Sequence, residues 1–227
     1  MRLEPLPRRV WVRAALLAGL LVACVSVFVW LLQETAAGGT RAFDLAVMAW
    51  VSRRRSPGLS EIAVNLTALG SRTILTIGTA LVFLLLWTGK RRLAAIDTAV
   101  ACAVAGIITR AVKVLLGRPR PSSLEPLIQV AGFSFPSGHV SGITALLTAT
   151  ALHTIEAAPS RGLRVVLAVL HVLLIAGVGW SRVYLGVHYP SDVVAGLCVG
   201  IACALGAHGL LRTRTVVRHL RAWRGGV

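Results

Sequence analysis

Apolar runs of about 20 residues recur along the chain, and each is long enough to cross roughly 30 Å of hydrocarbon. Six are legible, at about 12–32, 62–88, 93–112, 138–157, 163–181 and 191–211. Lipid cannot hydrogen-bond a bare backbone, so runs of this kind fold as helices. The sequence therefore predicts an all-α, polytopic membrane protein with six transmembrane helices. Composition agrees: 56% of the 227 residues are hydrophobic, 14% are charged, and the mean hydropathy is +0.78. A soluble domain would carry about a quarter charged residues. No internal repeat or low-complexity tract divides the chain, so residues 1–227 are expected to form one integral-membrane domain.

The net charge of +16 does not indicate nucleic acid. The cations cluster at the ends of the apolar runs, where basic residues set membrane orientation. Arg2, Arg8, Arg9, Arg13, Lys90, Arg91, Arg92, Arg161, Arg164 and the tail "RTRTVVRHLRAWR" fall on one side. They outweigh the other side, which carries Arg41 and the run Arg53–Arg55, so both termini are expected in the cytoplasm. The first run lacks a small-residue cleavage site and reads as a retained anchor. Between spans one and two, "FDLAVMAWV" has apolar residues at helical spacing and "SRRRSPG" follows. This predicts a short amphipathic helix on the membrane surface, then a breaker. Cys24, Cys102, Cys198 and Cys203 lie inside apolar runs without zinc-type spacing and read as packing residues. Arg72 falls inside span two, where it either marks a later start or faces the bundle interior.

Helix parity gives a sharper constraint. The end of span three, the start of span four and the link between spans five and six must share one face, whichever way up the protein sits. Three polar clusters occupy those places: "KVLLGRPRP" (113–121), "FPSGH" (135–139) and "SRVYLGVHYPSD" (181–192). Pooled, they supply the cations Lys113, Arg120 and Arg182, with Arg118 as a possible fourth. Pro119 and Pro121 stiffen the loop that holds Arg120. Ser137 and Gly138 stand where span four begins, and a helix N-terminus with its unpaired N–H groups suits an anion. Gly138 permits close approach of the backbone to a ligand. The set reads as a phosphate cradle.

Two histidines and a carboxylate complete the face. Asp192, accepting from Nδ1 of His188, would fix the tautomer and leave Nε2 free as a nucleophile. Pro190 suits the first turn of helix six and places Asp192 near its start. His139 could protonate a leaving oxygen.

These residues resemble the type 2 phosphatidic acid phosphatase (PAP2) superfamily, in its bacterial membrane lipid phosphatase branch. The pattern K-x6-R-P, P-S-G-H and S-R-x5-H-x3-D reads here as Lys113–Arg120–Pro121, Pro136–Ser137–Gly138–His139 and Ser181–Arg182–His188–Asp192. The resemblance implies a lipid phosphatase that needs no cofactor and no metal. His188 would form a phosphohistidine, Asp192 would orient it, and His139 would be the general acid. Lys113, Arg120, Ser137, Gly138 and Arg182 would bind the phosphoryl oxygens. The implied substrate is a lipid phosphate or diphosphate monoester: a polyprenyl diphosphate such as undecaprenyl diphosphate, phosphatidylglycerol phosphate or phosphatidic acid. The implied site is the outer face of a bacterial cytoplasmic membrane.

Two other functions stay open on the residues alone. One is a metalloprotein using His139, His188 and Asp192 as ligands, against which three nearby cations count. The other is a non-catalytic protein that binds or transports lipid phosphates. Outside the motifs, Arg110 reads as a snorkelling residue on the Lys113 face, and His153, His171 and His208 as separately satisfied structural histidines. Gly196 and Gly200 read as a helix-packing G-x-x-x-G.

Overall fold

The computed structural model describes residues 8–122, 124–155 and 157–224, with side chains described as far as Leu211 and excepting Arg9. Arg2 and the side chains of the basic tail lie outside the described residues. Eight helices follow in order: α1 (Arg8–Ala37), α2 (Arg41–Ser52), α3 (Pro57–Leu69), α4 (Arg72–Thr88), α5 (Arg92–Leu116), α6 (Gly138–Thr154), α7 (Arg161–Tyr184) and α8 (Pro190–Arg224). Among the described residues there is no strand.

Among the described residues, four stretches are long and apolar enough to cross a membrane: Val10–Ala37, Arg92–Leu116, Arg161–Tyr184 and Pro190–Leu211. The run expected as span two is broken. It divides into α3 and α4, bent by 49° at Gly70–Ser71, and together the pair can make a fifth span. The break has a local cause. Ser71 N-caps α4, its side chain accepting from the Ile74 N–H at 3.3 Å, which is the preferred way to open a helix. Arg72 thus stands exposed at the start of α4, at the bend of the α3–α4 pair. The run expected as span four, α6, has 17 residues. That is about 26 Å of helix, shorter than the hydrocarbon layer.

Helices α5, α6 and α8 form the heart of the bundle, packed through small side chains. Ala101, Ala149, Ala204 and Ala207 make one cluster, and Ala105, Ala145, Val199 and Cys203 the next. The α6–α8 seam is closer still. A Cβ on Gly196 would stand 2.7 Å from the Ser137 carbonyl oxygen, and one on Gly200 2.8 Å from that of Ser141. The G-x-x-x-G therefore packs helix on helix, as read. The four cysteines are free and three of them are buried. By contrast α7 leaves Val165, Val166, Val169, Val172 and Leu173 exposed, an apolar face of the kind that suits lipid.

Helix α2 turns Asp44, Met48 and Val51 inward and leaves Phe43 and Trp50 exposed. The inward face packs on Val183, Leu185 and Val187 at the end of α7. The Arg53–Arg55 run is not a uniform cationic patch. Arg55 donates to the Tyr184 carbonyl oxygen at 2.9 and 3.1 Å and to that of Glu125 at 2.7 Å. It ties the C-terminus of α7 to the long loop after α5. Arg54 stacks over Trp50 at 4.0 Å.

Candidate active site

The three clusters meet at one end of the bundle. Lys113 lies in the last turn of α5, which Gly117 ends in a left-handed conformation (φ 61°) with its N–H on the Lys113 carbonyl. Ser137 is the N-cap of α6, and Gly138 and His139 begin it. Arg182 lies in the last turn of α7, and Asp192 in the first turn of α8 behind Pro190. His139 is within electrostatic reach of Arg182, His188, Arg120 and Lys113.

His188 and Asp192 are buried, 2% and 0% exposed. His188 Nδ1 lies 3.3 Å from Asp192 Oδ2. The same oxygen accepts from the Tyr189 N–H at 2.9 Å, so Asp192 caps the helix that carries it, making the backward-reaching half of a capping box. On the other side of the ring, Nε2 lies 3.4 Å from Arg120 Nη1. An arginine can only donate and a carboxylate can only accept. Both neighbours therefore favour one tautomer, with the proton on Nδ1 and the lone pair on Nε2. Burial pushes the His188 imidazole down to about 4, although Asp192 pulls it upward.

The cations differ in how much hydrogen-bonding capacity they retain. Lys113 donates to the carbonyl oxygens of Phe133 and Ser134 at 2.7 and 2.9 Å. Arg120 donates to Val187, Gly132 and Ala131 carbonyls at 2.7, 3.0 and 3.1 Å. Both therefore fasten the loop before α6. Arg182 is 1% exposed. It gives Nη1 to Thr67 Oγ1 at 2.6 Å, while Nε and Nη2 have no partner. The Ser137 hydroxyl is also buried without a partner and makes no cap bond to α6. Buried donors are rarely left unmade, because each costs about 1–3 kcal/mol. A guanidinium with two idle donors beside an uncapped helix N-terminus and an idle hydroxyl is suited to an anion. Gly138 fits this account: a Cβ there would meet only a Thr109 methyl group, at an ordinary 3.6 Å, so protein packing does not require the glycine.

Two contributors escaped the reading of the sequence. Arg118, weighed there as a fourth phosphate ligand, pairs with carboxylates instead. Its guanidinium reaches Asp192 Oδ1 at 2.6 Å and Asp44 Oδ2 at 2.7 Å. Ser191 closes the ring, its N–H on Asp44 Oδ1 at 3.0 Å and its hydroxyl on Asp44 Oδ2 at 2.7 Å. Asp44 is fully buried, and its position as the one acidic residue in a short, mainly apolar helix was the available signal. The second is the broken helix. Thr67 holds Arg182, and a Cβ on Gly70 would stand 2.9 Å from His139 Cβ. The α3–α4 bend thus forms a wall against the candidate acid.

Of the other residues singled out, Arg110 is exposed on α5, as a snorkelling side chain would be. His171 bonds the Leu167 carbonyl of its own helix. His153 and His208 are not separately satisfied: both turn to Asp97, His153 Nε2 at 2.6 Å and His208 Nδ1 at 2.9 Å from Oδ2.

A membrane helix bundle with a basic anion pocket and a buried histidine–aspartate pair defines a membrane-embedded phosphatase class. The comparisons agree. The PAP2 superfamily model matches residues 94–215. Phosphatidylglycerophosphatase B of Bacillus subtilis is 30% identical over 188 residues, 78% of this chain and 89% of that protein. Decaprenylphosphoryl-5-phosphoribose phosphatase of Mycobacterium tuberculosis is 32% identical over 175 residues, 74% of this chain and 89% of its own. The crystal structure of the PAP2-type phosphatidylglycerolphosphate phosphatase from Bacillus subtilis superposes with a TM-score of 0.77, at 22% identity, over 84% of this chain and 94% of that one. The chain belongs to the PAP2 superfamily, among its membrane lipid phosphatases.

Proposed function

We propose that the protein hydrolyses a lipid phosphate or diphosphate monoester through a phosphohistidine on His188, without a metal. The observation that carries this reading is the His188 ring held between Asp192 and Arg120. In the first step Nε2 of neutral His188 attacks phosphorus, and the bond from phosphorus to the leaving oxygen breaks. His139, which can hold a proton once the anionic phosphate of the substrate offsets the cations around the ring, gives that proton to the leaving oxygen. In the second step neutral His139 takes a proton from water, the hydroxide attacks phosphorus, and the P–N bond breaks. The products are the dephosphorylated lipid, or its monophosphate, and inorganic phosphate. Phosphoryl transfer needs positioning and charge stabilisation above all. Lys113, Arg120, Arg182, Ser137 and the Gly138 N–H would supply both, in place of a metal ion.

The substrate class follows from where the cradle lies. It sits at a helix end, so a head group would enter it while the tail stays among the helices. Phosphatidylglycerol phosphate and polyprenyl phosphates or diphosphates have this form; one of the two relatives is named for the first, and the other for a phosphoribose carried on a decaprenyl phosphate. Phosphatidic acid has the same form. We further propose six spans, counting α3–α4 as one and α6 as another, with α2 on the membrane surface. On this reading residues 1–227 make one integral-membrane domain in a bacterial cytoplasmic membrane. The arginine-rich segments favour cytoplasmic termini, which would leave the cradle on the outer face.

The test is phosphate release from a panel of these lipids by purified protein in detergent, with and without a strong chelator. Release that survives chelation, is blocked by vanadate and vanishes in His188→Ala is expected. Near-normal hydrolysis by His188→Ala would falsify the nucleophile assignment. Lipid phosphate binding with no release by the unaltered protein would favour a carrier.

A further inference from the structure

We propose that Asp97, His153 and His208 form a divalent transition-metal site of the zinc-binding class, at the end of the bundle opposite the phosphate cradle. Asp97 lies in the second turn of α5, His153 in the last turn of α6 and His208 on α8. One ligand atom from each falls within 4.8 Å of the others. The donor set is two imidazole nitrogens and one carboxylate oxygen, a combination that suits zinc. His153 Nε2 and His208 Nδ1 stand 2.6 and 2.9 Å from Asp97 Oδ2. Bond lengths near 2.0–2.1 Å place tetrahedral ligands about 3.4 Å apart, so each contact need open by less than about 1 Å. The two rings are tilted by 57° with centroids 5.1 Å apart; they converge on the carboxylate rather than stack.

The charge balance argues for a cation. Asp97 and His208 are buried, 2% and 3% exposed. Among the described residues, the two rings are the only hydrogen-bond partners of the Asp97 side chain, and Asp97 Oδ1 has none. No cation among the described residues bonds the carboxylate itself, Arg91 donating instead to the His153 carbonyl oxygen at 2.5 Å. With both rings neutral the trio carries one net negative charge, which is costly to isolate in a medium of low dielectric. A divalent ion held by both rings and the carboxylate would neutralise it and engage the orphaned oxygen. The side chain of His153 is 13% exposed, which gives an ion a way in from the bundle end. Asp97 lies 16 residues before Lys113 on α5, about 24 Å along the helix, so this ion would take no part in phosphoryl transfer. Its role would be structural: it would join α5, α6 and α8, the helices whose other ends carry Lys113, His139 and Asp192.

The test uses tag-free protein in detergent, stripped with chelator and re-equilibrated with zinc or cobalt. The expected result is one zinc per chain by elemental analysis and a rise in Tm of at least about 5 °C at a hundredfold excess over Kd. Cobalt should give the visible absorption of a tetrahedral site. In His153→Gln, whose side chain is the least buried of the three, and in Asp97→Asn, the metal and the absorption should be lost. Zinc bound equally by these variants, no zinc in the unaltered protein, or a Tm that rises on acidification but not with zinc would each overturn the proposal. The last outcome would mean that a proton holds the trio together.

Discussion

The Arg118 guanidinium stands 2.6 Å from Asp192 Oδ1, the carboxylate oxygen not engaged by His188. The same guanidinium also reaches Asp44 on α2, so one cation lies between two fully buried carboxylates. Removing it would leave both uncompensated, a loss of about 3–5 kcal/mol. Arg118→Ala should therefore lower Tm by about 10 °C and reduce kcat, because Asp192 loses the cation that fixes its carboxylate opposite His188. Arg118→Lys should recover only part of either loss, since an ammonium lacks the planar fork that spans two carboxylates. Thermal unfolding and initial rates in detergent measure both; an Arg118→Ala protein with unchanged Tm would refute the bridge.

Asp192→Asn should reduce kcat by a factor of about 10²–10⁴ with a smaller change in KM, because an amide can hold the wrong tautomer of His188. A pure KM effect would count against the assignment.

The pH dependence has a definite sign. A nucleophilic His188 works as the free base, and burial holds its pKa near about 4. The acid limb of kcat/KM should therefore lie well below the usual histidine range, falling as pH drops through about 4. In Asp192→Asn the limb should move lower still, because Asp192 raises the pKa. A limb centred on an ordinary histidine value would show that another group controls it.

Arg182 has two idle donors in a buried position. If they meet the transferring phosphoryl group, Arg182→Ala should cut kcat/KM by about 10²–10³ and weaken vanadate inhibition in parallel. An unchanged vanadate affinity would remove Arg182 from the cradle.

Gly70→Ala tests the wall formed by the α3–α4 bend. Its Cβ would approach His139 Cβ at 2.9 Å and Val178 Cγ1 at 2.8 Å, so His139 must move and kcat should fall. Gly78→Ala, whose Cβ would meet Leu146 Cδ2 at 3.6 Å, should leave kcat near normal. Equal behaviour of the two variants would dismiss the steric argument.

Parity made the cradle legible. Lys113, His139 and His188 had to share a face because consecutive spans reverse direction, and motif spacing then fixed their register. Partners from distant segments carried no such signal. Arg118 and Asp44 are 74 residues apart, and Thr67 and Arg182 115. A single acid on a short amphipathic helix reads as solvated until its neighbour is known. The break at Gly70 hid inside a continuous apolar run, although Ser71 at the start of the second half was a legible cap. The Asp97 trio yields to the same parity argument as the cradle: the start of α5 and the ends of α6 and α8 share the opposite face. Histidines considered one at a time concealed it.

The glycine seam between α6 and α8 joins the two rods backbone to backbone. His139 opens one rod and Asp192 the other, so their spacing is held by main chain and not by side chains that can change rotamer. On the proposed function, an acyl or prenyl tail of variable bulk would have to lie outside this seam, because no side chain within it can move aside to admit one.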